Sequence, residues 1–429
     1  MTLRPLVTAG LAAAGIGLVP AGPAVAADLK APPLKPAAEA MRACPEYGPG
    51  FIRLPGLDVC LKSTIDVTYE MKLDLAKKDI YIETTRVAGN PLAFYEATPI
   101  SRTIHRFSSR IDPRFNLMTV SKVGDTPVLT FSSFRSSADI TAADSRSTPA
   151  PSSDGVRLDQ AWIKFAGLTA GRHTSLFDFT PGYTYTGGYA SSKTLNLLAY
   201  THTFGTLGSI SLSAEDATER KVQDGVWANY SGQSLPDLVG QARITPSWGI
   251  VHASGALREI RDGIAGRTGF GYALSSGIEV RRKWSDVFGA SAGETYGRLL
   301  VSGTYANGAI GYLGIPKFGT DYVSDITGRI ERTKGHSFVA SYEHVWAANF
   351  KTTATLSAYR IGADMLNYTH AVRGMVAQVG AEYMPVPGLM VGVEGDYFRD
   401  SVRGTYFAVP ATRDRVNIVT AFAYVRRRF

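Results

Sequence analysis

From Cys60 onward the chain is patterned in twos. Leu61, Ile65, Val67, Tyr69, Met71 and Leu73 alternate with Lys62, Thr64, Asp66, Thr68, Glu70 and Lys72. Successive side chains of a strand point to opposite faces, so this run is one strand with an apolar face and a charged face. It outruns the roughly 5–6 residues usual in soluble sheets. About ten tilted residues is the length that crosses a bilayer. Comparable segments recur at 103–112, 127–135, 157–166, 169–176, 197–204, 208–215, 237–245, 248–259, 270–281, 296–305, 336–345, 350–360, 375–384, 389–399 and 415–428. With 60–74 these make sixteen expected strands.

The connections are of two kinds. Gly167-Leu168, Gly205-Thr206-Leu207, Pro246-Ser247 and Val386-Pro387-Gly388 read as tight turns. The connections at 75–102, 136–156, 177–196, 216–236, 260–269, 282–295, 306–335, 361–374 and 400–414 read as long, and 113–126 as intermediate. Short turns on one side and long loops on the other describe a transmembrane barrel. In lipid every backbone donor and acceptor must be satisfied internally, which excludes an open sheet. The faces opposite the apolar ones carry Asp66, Glu70, Arg106, Arg110, Glu343, Glu382, Glu394 and Asp396. A small filled barrel could not bury so many charges; about sixteen strands leave a water-filled lumen that can hold them. The expected fold is therefore all-β, a transmembrane antiparallel barrel of about 16 strands.

Composition agrees. Of 429 residues 45% are hydrophobic and 19% charged, yet the apolar residues are not gathered into blocks. A spanning helix needs roughly 20 consecutive apolar residues, and the one long apolar stretch is at the N-terminus. Disorder is excluded by 10% aromatic content and a net charge of only +8. A length that would ordinarily imply two or three domains is used by one barrel.

Residues 1–26 read as a secretory signal: Arg4, an apolar run from Leu6 to Val19, and the small-x-small pattern Ala24-Val25-Ala26. Its removal takes away one charge and leaves +7. Residues 27–59 form an Ala/Pro-rich linker followed by a segment bounded by Cys44 and Cys60. Two cysteines in an exported chain are expected to pair; two free buried thiols are the alternative. The spacing fits no zinc pattern, and no metal or cofactor is expected. Residues 60–429 are the barrel.

Arg102, Arg106, Arg110 and Arg114 recur every four residues, which on a strand is one face. With Phe107 and Ile111 toward lipid, these arginines face the lumen, as pore-lining charges or as an ordinary solvated face. Tyr69, Tyr200, Trp248, Tyr272, Tyr296, Tyr342, Trp346, Tyr383 and Tyr397 lie near strand ends and suit interfacial girdles. The last strand alternates through Ile418, Thr420, Phe422 and Tyr424 to Phe429. A terminal aromatic resembles the assembly signal of outer-membrane barrels. Arg426, Arg427 and Arg428 are expected at the periplasmic rim, since arginines at lipid depth are costly.

Several stretches resemble the general porins of alphaproteobacteria. They are Cys44-Pro45-Glu46-Tyr47-Gly48-Pro49-Gly50-Phe51 with Leu54-Pro55-Gly56 and Cys60-Leu61, and Gln160-Ala161-Trp162-Ile163-Lys164-Phe165 through Arg172. Leu197-Leu198-Ala199-Tyr200-Thr201 with Glu215-Asp216-Ala217-Thr218-Glu219-Arg220, Leu235-Pro236-Asp237-Leu238-Val239-Gly240, and Tyr342-Glu343-His344 follow in order. The resemblance implies a homotrimer in outer-membrane lipid. It also implies a third long loop, 177–196, folded inward as a constriction. That loop carries Asp178 and Lys193; the wall candidates opposite it are Arg102, Arg106 and Arg110 by periodicity, and Lys164 and Arg172, which lie near the loop by strand order. The family opposes an acidic loop to basic wall residues; this loop has one acid and one base.

The expected function is passive diffusion of small hydrophilic solutes and ions, with mild anion preference or weak selectivity from the +7 charge and the arginine row. A substrate-specific porin would use an aromatic track, for which Tyr183, Tyr185 and Tyr189 are candidates. An outer-membrane enzyme would need a Ser/His/Asp set at a rim, and none of the seven His lies in a catalytic motif. A secreted soluble β protein is the third alternative. Nucleic acid is not an expected partner, because 45 Lys+Arg are dispersed among 37 acids.

Overall fold

The computed structural model describes residues 42–86, 95–103, 106–141, 152–221, 231–263, 266–283, 295–315, 320–324, 329–365, 368–406 and 409–429. The expected signal at 1–26 and linker at 27–40 lie outside them.

Sixteen strands among the described residues close into one barrel: β1 (Cys60–Arg86), β2 (Arg106–Val123), β3 (Thr126–Thr141), β4 (Ser152–Phe165), β5 (Leu168–Thr174), β6 (Thr194–Thr203), β7 (Gly208–Glu215) and β8 (Asp237–Ile244). They continue as β9 (Gly249–Arg261), β10 (Thr268–Lys283), β11 (Tyr296–Asn307), β12 (Lys334–Ala347), β13 (Phe350–Met365), β14 (Tyr368–Val386), β15 (Leu389–Tyr406) and β16 (Val409–Arg428). Each pairs antiparallel with its sequence neighbours, and β16 returns to β1 from Ile418↔Lys77 to Arg428↔Asp66. At the seam the Phe429 amide donates to the Ile65 carbonyl at 2.9 Å, and the Ile65 amide returns to Phe429 at 3.3 Å. Closure leaves no edge, as a spanning sheet requires.

The pleat follows the alternation. On β1, Ile65, Tyr69, Met71, Leu73 and Leu75 are exposed on the outer face. On β2, Phe107, Ile111 and Phe115 are likewise outward. In water this skin would be an aggregation site; in a bilayer it is the lipid contact.

Several boundaries differ from expectation. Residues 113–126 are not a connection: β2 runs through Pro113 to Val123, and Gly124-Asp125 is the turn. Pro113 is tolerated because its partner pairing on the β3 side is interrupted between Ile111↔Ala138 and Arg114↔Arg135. The connections expected at 361–374 and 400–414 are mostly strand, since β13, β14, β15 and β16 continue far past their apolar stretches. Beyond the bilayer both faces of a hairpin meet water, so the hydrophobic alternation that marks a strand disappears. For the same reason 75–102 is largely paired backbone, with Tyr95–Thr103 against the end of β1.

One tight turn shows the local chemistry. Ala166 (φ 49°) and Gly167 (φ 85°) are both left-handed, as a two-residue hairpin between right-twisted strands demands. A Cβ on Gly167 would stand 2.8 Å from the Thr201 carbonyl, so the neighbouring strand also requires glycine there.

The N-terminal segment folds onto the barrel end where β1 begins. Arg42–Ala43 pairs with Ile52–Arg53, which pairs with the start of β1. Cys44 and Cys60 are bridged. They are buried with Phe51 and with Val120 of β2, so the bridged segment is seated on the inner wall near the short turns.

Candidate functional site

The connection between β5 and β6, residues 175–193, turns into the lumen and crosses it. Its two ends are held together: the Ser175 amide donates to the Lys193 carbonyl at 2.9 Å, and the Lys193 amide to Asp178 Oδ2 at 2.6 Å. Phe177 is buried against the ring of Tyr312, 4.6 Å between centroids. Phe179 stacks on His252 of β9 at 4.9 Å. It lies so close to β10 that a Cβ on Gly277 would meet its ring at 2.6 Å. The middle of the loop then runs along the small polar side chains of the far wall. The Tyr183 amide donates to Ser341 Oγ at 2.9 Å, the Thr184 hydroxyl lies 2.8 Å from Thr355 Oγ1, and the Tyr189 amide donates to Ser357 Oγ at 2.8 Å. Glu394 of β15 receives the amides of Tyr185 and Thr186 at 2.5 and 2.9 Å.

Asp178 is therefore not a free charge in the passage. It is buried in an ion pair with Arg220 at 3.0 Å, and Arg220 also donates to Ser191 at 2.6 Å. The Arg220 guanidinium lies 4.1 Å over the Tyr312 ring, whose hydroxyl donates to Asp237 at 2.7 Å. Arg258 stands between Asp237 and Asp321, at 3.8 and 3.6 Å, with all three fully buried. This network fixes the loop beneath the segment 308–315, which contributes the one-turn helix Ile310–Leu313. One side of the lumen is thus solid packing, and the passage is confined to the other side.

That passage is a cavity of about 570 Å³ between the loop and strands β1, β2, β3 and β16. Its lining holds Lys72, Arg110, Arg114, Arg135, Arg426 and Arg428 against Asp66, Glu70 and Asp112. On the loop side stand Tyr185 and Thr186. The Tyr185 hydroxyl donates to Glu70 Oε2 at 2.5 Å, and its ring stacks 4.0 Å from Tyr424. Burial, and then the hydrogen bond to Glu70, push the Tyr185 phenol up, so it remains a donor through the neutral range. Asp112 receives two bonds from Arg135 Nε at 2.7 and 2.8 Å, and a third from its Nη2. Arg428 pairs with Asp66 at 2.6 Å, and Arg114 approaches Asp159 at 3.8 Å. A second charged belt continues along the wall. There Arg298 and Lys351 share Glu343 at 2.5 and 3.3 Å, and Lys351 reaches Glu382 at 2.7 Å.

The expected wall residues divide. Arg110 and Arg114 face the passage as the four-residue spacing requires. Arg102 does not belong to their strand: it lies on Tyr95–Thr103, opposite Asp79. The side chains of Arg102 and Arg106 lie outside the described residues. Lys164 shares a face with Trp162, with its ammonium 4.5 Å over that ring, and it sits at the β4 end next to the Ala166-Gly167 turn rather than in the passage. Arg172 is on the wrong face. Its register with Ala161 and Asn196 opposes it to the inward His173 and Leu195, and it pairs with Glu219 at 2.6 Å. One residue of register separates lumen from exterior, and strand order near the loop does not say which side a residue takes. Lys193 lines a separate cavity of about 270 Å³ with Glu219, Arg220 and Lys221.

Lys72, Arg135, Arg426 and Arg428 were not singled out by sequence as passage residues. Lys72 shares parity with Asp66 and Glu70, which was a usable signal. The terminal arginines are sorted by alternation: Arg426 and Arg428 turn inward, while Arg427 reaches the Pro387 carbonyl at 3.1 Å beside Phe429. The same parity turns Phe422 and Tyr424 inward, where they are buried under Tyr185. Of the possible aromatic track, Tyr189 is buried edge-on against Tyr359, leaving Tyr183 and Tyr185.

Comparison with known proteins agrees with this architecture. A family described as "Porin subfamily" matches residues 32–417. Porin Omp2a of Brucella ovis is 27% identical over 263 residues, 58% of this chain and 69% of that protein. Porin Omp2b of Brucella melitensis is 26% identical over 261 residues, 58% of this chain and 64% of that protein. Among solved structures, the outer membrane channel DcaP of Acinetobacter baumannii superposes with a TM-score of 0.61 at 16% identity, over 86% of this chain and 97% of that one.

Proposed function

Because this chain belongs to the porin subfamily and forms a channel in the outer membrane, we propose that it passes small hydrophilic solutes and ions by diffusion, with a preference for anions. The observation that carries this is the excess of cations in the passage: Lys72, Arg110, Arg114, Arg135, Arg426 and Arg428 against Asp66, Glu70 and Asp112. Fixed charge in a narrow, low-dielectric opening biases which ion enters. The acids that sharpen the local field come from the walls rather than from the loop. The loop supplies the tyrosine that narrows the opening and the packing that closes the other side.

The working unit is read as a homotrimer, on the strength of the family resemblance. The chain is read as a channel without a reaction of its own: its buried and charged lumenal groups brace the loop or line the passage. A sugar-selective track is less favoured, because Tyr189 is withdrawn from the lumen.

Planar bilayers under a salt gradient test the reading. A reversal potential of the sign for anion preference is expected. Clear cation selectivity of the wild-type channel would refute it.

A further inference from the structure

The outer wall carries a row of cations that the channel reading does not use. On β12, His336 lies ten positions from Trp346; on β13, Arg360 lies ten from Phe350; on β14, Arg373 lies ten from Tyr383; on β15, Arg399 lies ten from Leu389. The even spacing puts each pair on one face, and that face is the outward one, shared with exposed Phe338, Leu356, Val379 and Val393. Ten residues at about 3.3 Å and a tilt near 40° rise roughly 25 Å, the height of a barrel's apolar band. The three arginines, with His336 beside them, therefore stand at its far edge, on the side of the long hairpins.

They are also close to one another. His336 is directly opposite Arg360 and Arg360 directly opposite Arg373, while Arg399 faces Met375, two places along from Arg373. Like charges directly opposite on neighbouring strands repel. No carboxylate pairs with any of the four among the residues whose side chains are described. Beneath them, on the same strands and the adjoining β16, is an apolar groove of about 600 Å³ floored by Ala340, Ala354, Ala377, Gly395 and Ala421. The groove begins about four residues below the cations, roughly 13 Å along a strand.

A cationic row at headgroup depth above a trough of small residues matches one kind of molecule. The geometry points to a docking site on β12–β15 for a phosphorylated, acylated lipid of the outer leaflet. The arginines hold its phosphate by their charge and the alanine groove holds an acyl chain. The anion between Arg360 and Arg373 relieves the repulsion that the register imposes. Arg172, paired with Glu219 on the opposite side of the barrel, takes no part.

Native mass spectrometry of the detergent-extracted assembly, titrated with bis-phosphorylated lipid A, tests the site. Removing three arginines predicts a loss of lipid binding on the order of a hundredfold in the combined R360Q, R373Q, R399Q variant. The matching triple lysine variant should stay within about threefold of wild type. Wild-type protein should bind the dephosphorylated lipid at least about tenfold more weakly, and this arm decides the matter should the glutamine variant fail to fold. Equal binding of the two lipids overturns the proposal, as does a glutamine variant that binds like wild type. So does full displacement of the lipid by an equal concentration of inorganic phosphate. A change of oligomeric mass with lipid binding intact would assign this face to contact between copies instead. Conductance is read in parallel, and it stays at the wild-type value because none of these side chains enters the lumen.

Discussion

The phenolic hydroxyl of Tyr185 donates to Glu70 Oε2 at 2.5 Å, joining the tip of the inward loop to the first strand of the barrel. The two residues are 115 positions apart, and each needs the other. Glu70 gives the loop tip a fixed end. Tyr185 gives a lumenal carboxylate a neutral donor in place of water, and its ring covers Tyr424. The position of this contact sets the width of the passage.

Shortening that residue should widen the opening. The Tyr185→Ala channel is expected to show a larger single-channel conductance than wild type, while Tyr185→Phe keeps the ring stack and changes mainly the current noise. Single-channel recording in planar bilayers checks both. An unchanged conductance in the alanine variant would place the constriction elsewhere.

Charge reversal in the passage should move ion preference. Arg110→Glu and Arg426→Glu each exchange a positive for a negative lining residue and should shift the zero-current potential toward cations. Charges within a Debye length of about 8 Å act with little screening at physiological salt, so the shift should shrink as salt rises. Lys164→Glu, at the β4 end and outside the passage, should shift it less. Equal shifts from all three would mean that the net charge of the channel, not the local arrangement, governs selectivity.

Breaking the buried latch should loosen the loop without opening the barrel. Asp178→Ala leaves Arg220 buried without its partner, a loss of about 3–5 kcal/mol by the usual cost of orphaning one member of a buried pair. The expected result is frequent current closures and a lower unfolding temperature in detergent, with heat-modifiable migration retained. Arg172→Ala removes an outer-face pair and should leave the closures at wild-type frequency.

Reduction of Cys44–Cys60 should act locally. The bridge closes a separation of 16 residues, for which chain entropy predicts about 3 kcal/mol. The segment from Pro45 to Val59 is expected to become protease-sensitive after reduction while strand content by circular dichroism is unchanged. Loss of strand content on reduction alone would show that the barrel depends on the bridge.

The C-terminal ring is expected to matter for assembly. Phe429 exchanges backbone bonds with Ile65 at the closing seam, so its removal leaves the seam one residue short. Deleting it should lower the yield of heat-modifiable barrel in refolding trials, while Phe429→Tyr restores it.

Much of this was written in the alternation. Ile65, Tyr69 and Met71 against Asp66, Glu70 and Lys72 already separate lipid from lumen, because a strand has only two faces and lipid accepts only one kind of side chain. The sixteen expected strands correspond one for one with the sixteen found. The hairpins beyond the bilayer were not legible, since with water on both sides no pattern is enforced. Placement by strand order near the loop did not give the face, as at Arg172.

The loop shows the limit most clearly. The family resemblance placed Asp178 among the pore charges, because it implies an inward loop whose acids oppose basic wall residues. Only the folded chain brings it to Arg220, 42 positions away, and buries both. Local pattern determines which side of a strand a residue occupies, because that choice is made by its neighbours and the solvent. What a lumenal charge does depends on the side chains that closure delivers to it from distant strands, and only the tertiary structure decides that.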